Sequence, residues 1–287
     1  MKRRLLTNVM FVLVFFVALG VTLYPLISNH VNEKYKSEIH TAYVEIIEEA
    51  DDSALVEAKV RAVEYNNAIT PGTMDGNAYS QEALKAASED YGSQLNIGGD
   101  GIMGYVEIPI IGVNLPIYHG TEVDSLERGV GHLLGSSLPV GGESTHAILS
   151  GHSGMATEKM FTDVTQLQIG DVFYLHILNE VLAYQVVETN TVLPYDTSLL
   201  GVEAARDLCT LVTCTPIGVN THRLLVTGER IPYEEAEEIV KEIQVEEQPI
   251  SNWEQEYLRG ILIGVAVVVV LGIVIWLISW IWRACHE

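Results

Sequence analysis

Two long apolar runs stand near the ends of the chain and enclose a stretch of mixed character. The first covers residues 5–27 with few polar interruptions, and the second covers residues 261–282 without a charge. Each run is long enough to cross a bilayer as a helix. We therefore predict an amino-terminal membrane anchor in residues 1–28, with a signal segment as the alternative, and a carboxy-terminal transmembrane helix in residues 259–283.

The charges beside these runs predict how the chain would lie across a cell membrane. Lys2, Arg3 and Arg4 precede the first run, and basic clusters of this kind stay in the cytoplasm. Both termini are then cytoplasmic, and the stretch between the spans lies on the extracellular face. The formal net charge of −22 disfavours nucleic acid as a partner, because phosphate backbones are also negative.

The region that follows the first run is mainly helical in pattern. Apolar residues recur at helical spacing from Val31, and an acidic break at residues 51–53 can cap a second helix. Residues 70–79 are rich in turn formers and predict a loop. We therefore predict a helical extension with a loop over residues 29–101, which either packs on the following domain or forms a solvated stalk.

From Ile102 onward the pattern changes to short strands with turns at close spacing. It predicts strands over residues 105–110, 113–118, 146–150, 171–177, 182–192, 210–214 and 224–227, and helical segments over 122–132 and 160–167. Many short strands of this kind predict a mainly β domain over residues 102–232, closed or nearly closed as a barrel. The acidic residues 233–258 predict a polar helix or linker that leads back to the membrane.

A cysteine ends one of these strands and shares its predicted hairpin with an arginine. The strand of residues 210–214 ends on Cys214, turn formers occupy residues 216–220, and Arg223 directly precedes the returning strand. A thiol beside a fixed cation is suited to act as a nucleophile. Cys209 falls on the opposite strand face, so a disulfide with Cys214 is geometrically poor. The alternative is a small buried thiol beside an ordinary surface arginine.

A thiol needs a base to become a thiolate, and the chain has nine histidines as candidates. His152 is favoured because it follows an apolar strand and stands between Gly151 and Gly154, where glycines let the backbone aim the ring. His146 and His152 could alternatively be metal ligands. No third ligand has a suitable spacing, and neither Cys-x-x-Cys nor His-Glu-x-x-His occurs, so we predict neither a metal site nor another cofactor.

Together these motifs resemble the sortase family, and in particular its class C, the pilin-polymerising sortases of Gram-positive bacteria. The resemblance is carried by residues 211–223, by Gly151-His152, and by Gly104-Tyr-Val-Glu-Ile-Pro109, Leu115-Pro-Ile-Tyr-His-Gly-Thr121, Gly129-Val-Gly-His132 and Ser137-Leu-Pro-Val-Gly-Gly142. It extends along the chain from about residue 30. It implies a closed eight-stranded sortase-type β barrel with an N-terminal helical extension and two flanking transmembrane helices.

The resemblance also implies a cysteine transpeptidase and a role for three residues. Cys214 would attack the Thr–Gly carbonyl of a sorting signal similar to Leu-Pro-x-Thr-Gly, His152 would transfer protons, and Arg223 would stabilise the oxyanion. The thioacyl intermediate would pass to a lysine of another pilin subunit and form an isopeptide bond. The expected partners are therefore pilin subunits that carry such a signal, together with the membrane.

Two stretches depart from the class C pattern. The family commonly carries a lid loop with Asp-Pro and an aromatic residue, whereas residues 71–79 contain no Asp-Pro. Asp75 and Tyr79 are the candidates for the lid carboxylate and ring, and an ordinary loop is the alternative. Residues 153–155 are Ser-Gly-Met, where the family often has Arg-Gly-Leu.

Three other functions stay open at the level of sequence. The same fold could anchor surface proteins to peptidoglycan, and the same residues could support a cysteine peptidase that uses water. A non-catalytic membrane-anchored scaffold for pilus assembly is the third alternative. The helical extension and the second apolar run favour pilin assembly over anchoring, and the joint presence of Cys214, His152 and Arg223 argues against a scaffold.

Overall fold

The computed structural model of the chain describes residues 2–68, 90–155, 157–246, 259–266 and 270. The chain divides into two compact units, one of Met1–Tyr24 with Ser251–Glu287 and one of Pro25–Ile250. Among the described residues, no helix is both long and apolar enough to cross a membrane. The two predicted spans are thus not confirmed, and most of the second lies outside the described residues.

Two helices form the predicted extension. Helix α1 covers Lys2–Glu49 and helix α2 covers Asp52–Ala68, so the acidic break falls where the sequence predicts it, while α1 begins well before Val31. The amide of Ser53 donates to the Asp51 carboxylate at 2.8 Å and caps the start of α2. The side chain of Asn66 then pairs with both backbone groups of Leu138, at 3.0 and 2.6 Å. The extension therefore packs on the barrel and is not a solvated stalk.

Eight strands close into a barrel, which confirms the predicted eight-stranded closed barrel. They are β1 Ile102–Ile108, β2 Val113–His119, β3 Val130–His132, β4 Thr145–Ser150, β5 Val172–Ile177, β6 Glu180–Val192, β7 Asp207–Thr215 and β8 His222–Ile231. Their order is β1-β2-β3-β4-β7-β8-β6-β5, and only the pairs β2–β3 and β4–β7 are parallel among the described strands. Fully buried side chains such as Tyr105, Ile117, Leu149 and Phe173 fill the core.

One predicted helix is partly wrong. Residues 122–132 contain helix α3 over Val123–Arg128, but the last three residues form β3. This strand exists because it pairs with β2 on one side and β4 on the other, and so short a segment carries no periodicity of its own. A Cβ at Gly131 would lie 2.3 Å from the carbonyl oxygen of Gly120, so the close pairing requires glycine there. Likewise, residues 160–167 hold a short 3₁₀ helix, Thr162–Gln166.

The acidic stretch after the barrel begins as a helix. Helix α4 covers Tyr233–Glu246 and presents acidic residues in its first turn. Ala236 is fully buried and packs with Val172, Tyr174 and Ala183 of the β5–β6 pair. The sequence predicts either a polar helix or a linker for residues 233–258, and the first part of this stretch is a helix.

Candidate active site

The β7–β8 hairpin places the thiol and the guanidinium opposite each other. Cys214 pairs directly with Arg223 in the antiparallel register, and the thiol is free and partly exposed. Directly opposed residues of antiparallel strands have their side chains on the same face, with Cβ atoms about 4.5–5.5 Å apart. Cys209 is fully buried and free, and burial raises the pKa of its thiol well above the ordinary value. The exposed thiol of this strand is therefore Cys214.

Arg223 is not held by a carboxylate within the described part of the chain. Its guanidinium donates to the backbone carbonyls of Asn220 and His222, at 3.3 and 3.0 Å. His222 is the first residue of β8, and Asn220 lies in the turn before it, with a positive φ of 59°. These contacts hold the guanidinium at the end of the hairpin that carries Cys214. The alternative of an ordinary surface ion pair therefore finds no support among the described residues.

The parallel pairing of β4 with β7 brings the segment of His152 beside Cys214. The register aligns Ser150 with Val212, and the amide of Gly151 donates to the carbonyl of Val212 at 3.0 Å. The chain after β4 therefore continues along the end of β7. His152, one residue further, lies at the level where β7 reaches Cys214. Two residues that are 62 positions apart in the sequence thus share one end of the barrel.

Two hydroxyl groups continue this pairing beyond its last backbone bond. The buried hydroxyl of Thr213 donates to the carbonyl of Gly151 at 2.8 Å. The hydroxyl of Ser153 donates to the carbonyl of Cys214 at 2.6 Å. Both bonds flank His152 in the chain. Strand alternation turns the side chain of Thr213 away from that of Cys214, and the sequence marks Ser153 only as a departure from the family pattern, so neither is among the predicted site residues. The signal that could have found both is a hydroxyl residue next to a predicted site residue.

The loop that carries His152 is also fixed to the segment that follows it. The amide of Phe161 donates to the carbonyl of His152 at 2.9 Å, and the amide of Gly154 donates to the hydroxyl of Thr162 at 3.0 Å. The imidazole itself is partly exposed and has no hydrogen-bond partner within the described residues. Its ring is therefore accessible from solvent, as a group that exchanges protons with a substrate must be.

Other histidines of the barrel have structural partners. His132 is completely buried, and burial lowers its pKa to about 4, so its ring is neutral at pH 7. Burial also lowers the pKa of His146, whose ring nitrogens contact Gly201 and Thr210. The ring of His176 contacts the Glu107 carboxylate at 2.7 Å. Among these rings, His152 is the one that combines access to solvent with a place beside Cys214.

The remaining candidates from the sequence are the two lid residues and the alternative metal site. Asp75 and Tyr79, the candidates for a lid, lie outside the described residues. Within the described ranges, no group of three or more His, Cys, Asp or Glu side chains could hold a metal ion. His146 in particular is occupied by a backbone carbonyl and a hydroxyl, which does not favour the alternative in which it binds metal with His152.

Comparison with known proteins places this geometry in a family. Residues 106–231 match the model of the sortase domain. The crystal structure of sortase C1 from Streptococcus agalactiae is 45% identical, with a TM-score of 0.62, and the match covers 68% of this chain and 98% of that one. The chain belongs to the sortase family. The barrel, the β7–β8 hairpin and the loop after β4 are thus those of a sortase domain.

Further sortases support the resemblance to class C. Sortase C-1 from Actinomyces oris is 45% identical with a TM-score of 0.56, and the match covers 63% of this chain and 99% of that one. Sortase C from Streptococcus pneumoniae is 38% identical with a TM-score of 0.61, and the match covers 68% and 97%. The predicted resemblance to class C sortases is confirmed by these structural neighbours.

Curated relatives match over a shorter region. Sortase D from Bacillus subtilis (strain 168) is 34% identical over 131 residues, which are 45% of this chain and 63% of that protein. Sortase A from Listeria monocytogenes is 28% identical over 150 residues, which are 52% of this chain and 64% of that protein. The chain thus spans less than two thirds of the length of these curated sortases. Sortases are cysteine transpeptidases, and this sortase carries a free, partly exposed cysteine at the expected strand end.

Proposed function

We propose that this sortase polymerises pilin subunits by transpeptidation. The observation that carries the proposal is the convergence of the Cys214–Arg223 hairpin and the His152 loop at one end of the barrel. The class is supported by the sortase C neighbours, among them sortase C from Streptococcus pneumoniae, whose crystal structure gives insight into pilin substrate specificity. The substrate would carry a sorting signal similar to Leu-Pro-x-Thr-Gly.

The first half of the reaction forms a thioester. The thiol proton of Cys214 passes to His152, and the thiolate sulfur attacks the carbonyl carbon of the threonine in the sorting signal. The carbon–nitrogen bond to glycine then breaks, and His152 gives its proton to the leaving amine. The threonine acyl group stays on the sulfur of Cys214. One sulfur–carbon bond has replaced one amide bond, and no redox partner is needed.

The second half transfers the acyl group to an amine. An uncharged lysine side chain of another pilin subunit attacks the thioester carbon, and His152 accepts a proton from the attacking nitrogen. The sulfur–carbon bond breaks, an isopeptide bond forms, and the proton returns to Cys214. In both halves a negative charge develops on the carbonyl oxygen. The guanidinium of Arg223 is the cation that stabilises this charge, because it shares the face of the hairpin with the sulfur.

A membrane setting follows from the two apolar runs of the sequence. Residues 5–27 and 261–282 would anchor the enzyme in the cell membrane, with both termini in the cytoplasm and the barrel on the extracellular face. This arrangement would hold the enzyme where exported pilin subunits arrive. Reaction of added cysteine residues in intact cells with a membrane-impermeant thiol reagent would test this topology.

A covalent ladder is the test of the proposed activity. The full-length chain in detergent is incubated with a pilin that carries the sorting signal, and products are separated under denaturing conditions. We expect a ladder that is lost in Cys214→Ala and kept in Cys209→Ala, which removes the buried thiol of the same strand. Cleaved monomers alone would instead indicate a water-using peptidase. Transfer only to a peptidoglycan amine would indicate that the enzyme anchors surface proteins. If no substrate were processed, the result would favour a non-catalytic scaffold.

A further inference from the structure

We propose that Ser153 is a positioning residue that holds the His152 loop in register with Cys214. The inference rests on the proposed function, in which a proton moves between these two side chains. Ser153 follows His152 directly, and its hydroxyl donates to the backbone carbonyl of Cys214 at 2.6 Å. The bond therefore joins the neighbour of the base to the residue that bears the nucleophile.

The hydrogen bond from Ser153 lies where the backbone pairing of β4 with β7 has ended. Backbone pairing of β4 with β7 ends near Ser150, and one further bond joins the amide of Gly151 to Val212. Beyond Gly151, the two segments of the chain run side by side without a β ladder. Thr213 donates to Gly151, and Ser153 then donates to Cys214, so that two hydroxyls extend the parallel pairing by two steps. Ser153 makes the last of these contacts.

Beyond Gly151, no backbone ladder to β7 keeps this register. The other bonds of the loop, from the amide of Phe161 to the carbonyl of His152 and from the amide of Gly154 to the hydroxyl of Thr162, join it to the segment that follows and not to β7. Residues 151–155 adopt no regular secondary structure, so no helix or strand ladder fixes their distance from β7. Gly154 has a positive φ of 71°, a backbone conformation outside helix and strand that favours glycine, immediately after Ser153. Ser153 itself is only 8% exposed, so water competes little for its hydroxyl.

This arrangement connects the hydroxyl to the chemistry. Proton transfer requires donor and acceptor within hydrogen-bond reach, and a displacement of about 1 Å can reduce the rate by as much as ~100-fold. Because the bond is made to Cys214 itself, its loss would let the loop of His152 shift relative to the thiol. It would leave Arg223 and the rest of the hairpin in place.

A pair of variants with the same shape tests the hydroxyl alone. Ser153→Thr keeps the hydroxyl and Ser153→Val replaces it by a methyl group of nearly equal size. With the full-length enzyme in detergent and a sorting-signal peptide, we expect kcat to fall about tenfold in Ser153→Val, with KM changed less than about twofold. We expect the pH profile of kcat/KM to change in Ser153→Val, and the profile of Ser153→Thr to overlay that of the wild type.

A matched control separates positioning from general stability. The hydroxyl of Ser125 in α3 makes the same kind of bond, to the carbonyl of His119 at 2.8 Å, and Ser125→Ala should leave kcat and the pH profile unchanged. Equal activity of Ser153→Thr and Ser153→Val would overturn the proposal. It would also be overturned if Ser125→Ala lost as much activity as Ser153→Val while the melting temperatures of the two variants fell by the same amount.

Failure of the proposed function would be seen separately. A wild-type enzyme that forms no thioester with any sorting-signal peptide would refute the activity and not the positioning. In that case the rate at which iodoacetamide alkylates Cys214 between pH 6 and 9 is the readout. A change of this profile in Ser153→Val and not in Ser153→Thr supports the role of Ser153, and identical profiles contradict it.

Discussion

Cys214 and Arg223 are directly opposed across the antiparallel pair of β7 and β8. Nine positions separate them in the sequence, and a single turn closes that distance. The thiol is partly exposed, and the guanidinium is held by the backbone carbonyls of Asn220 and His222. A positive charge therefore lies on the same face of the hairpin as the sulfur without a carboxylate partner among the described residues.

Replacement of Arg223 tests whether this charge acts on the reaction. We expect Arg223→Ala to lower kcat/KM by roughly 10²–10³-fold, the size of effect that loss of one oxyanion donor produces. Arg223→Lys should recover little of it, because an ammonium group lacks the planar set of donors. Thermal unfolding should change little. Thioester formation with a sorting-signal peptide is the measurement.

Arg230 on the same strand provides the control for this experiment. Its guanidinium lies over the ring of Tyr184, 5.7 Å from the centroid, at the other end of β8. Arg230→Lys should keep the wild-type kcat/KM. If Arg223→Ala retained full activity, the oxyanion role would be wrong.

Gly151 is expected to tolerate no side chain. A Cβ at this position would lie 2.6 Å from two ring atoms of Phe161, which is fully buried and cannot move aside. Gly151→Ala should therefore reduce the free energy of unfolding by about 1–3 kcal/mol. It should also lower kcat, because the loop that carries His152 must shift.

Urea unfolding and peptide turnover measure both effects of Gly151→Ala. Gly92→Ala is the control, since a Cβ there would meet no atom within 4 Å. A Gly151→Ala enzyme with normal stability and normal turnover would show that the contact with Phe161 places no constraint on the loop.

Lys36 and Glu158 form an ion pair that joins α1 to the segment between His152 and Phe161. The ammonium nitrogen lies 2.6 Å from the carboxylate, and the two side chains are only 10% and 14% exposed. Removal of one partner leaves a buried charge, so we expect Lys36→Met to cost about 3 kcal/mol of unfolding free energy. The double variant with Glu158→Leu should regain most of this loss.

A double-mutant cycle by urea unfolding gives the coupling energy of this pair. The exposed pair Lys241–Glu237, with its nitrogen and oxygen 3.3 Å apart, is the control and should give a coupling of about 0.5 kcal/mol or less. Additive losses in the Lys36 and Glu158 variants would contradict the expectation for the buried pair.

His132 should make the stability of the barrel depend on pH. Burial lowers the pKa of its ring from the model-peptide value of 6.5 to about 4, and the ring contacts Tyr91 at 2.9 Å and Ser137 at 2.8 Å. The unfolded chain therefore binds a proton near pH 6.5, whereas the folded one resists it down to about pH 4. The contribution of the neutral His132 ring to the free energy of unfolding is fully present above pH 6.5. It decreases by about 3 kcal/mol as the pH falls to 4.

Comparison of unfolding free energies at pH 7 and pH 4 for wild type and His132→Gln isolates this contribution. The variant should be less stable at pH 7 and should lose less stability on acidification. The exposed His30 on α1 serves as the control, and His30→Gln should keep the wild-type dependence. An unchanged acid dependence in His132→Gln would show that other groups cause it.

Much of the fold follows from local patterns in the sequence. Short strands with close turns predict a closed β barrel, and the predicted segments 146–150 and 171–177 coincide closely with β4 and β5. The hairpin of Cys214 and Arg223 is equally local, because one turn decides which residues meet. Strand alternation also separates Cys209 from Cys214 without reference to the rest of the chain.

Other features depend on pairing between distant segments. β3 has only three residues and is a strand because β2 and β4 lie on either side of it. The place of His152 beside Cys214 depends on the parallel register of β4 with β7, which a local pattern does not encode. Sequence reasoning therefore found His152 from its glycines and its family resemblance, and not from this register.

The sequence by itself determined the class of fold, the hairpin of Cys214 and Arg223 and the candidate base His152, because strand patterns, turn residues and the motif around His152 are each recognised in short stretches of the chain. Only the tertiary structure decided that Ser153 and Thr213 join the two sides of the site, and that His132 is a neutral buried ring. Hydrogen bonds between distant segments and the loss of solvent around a side chain arise when the barrel closes, and neither is a property of a short stretch of sequence.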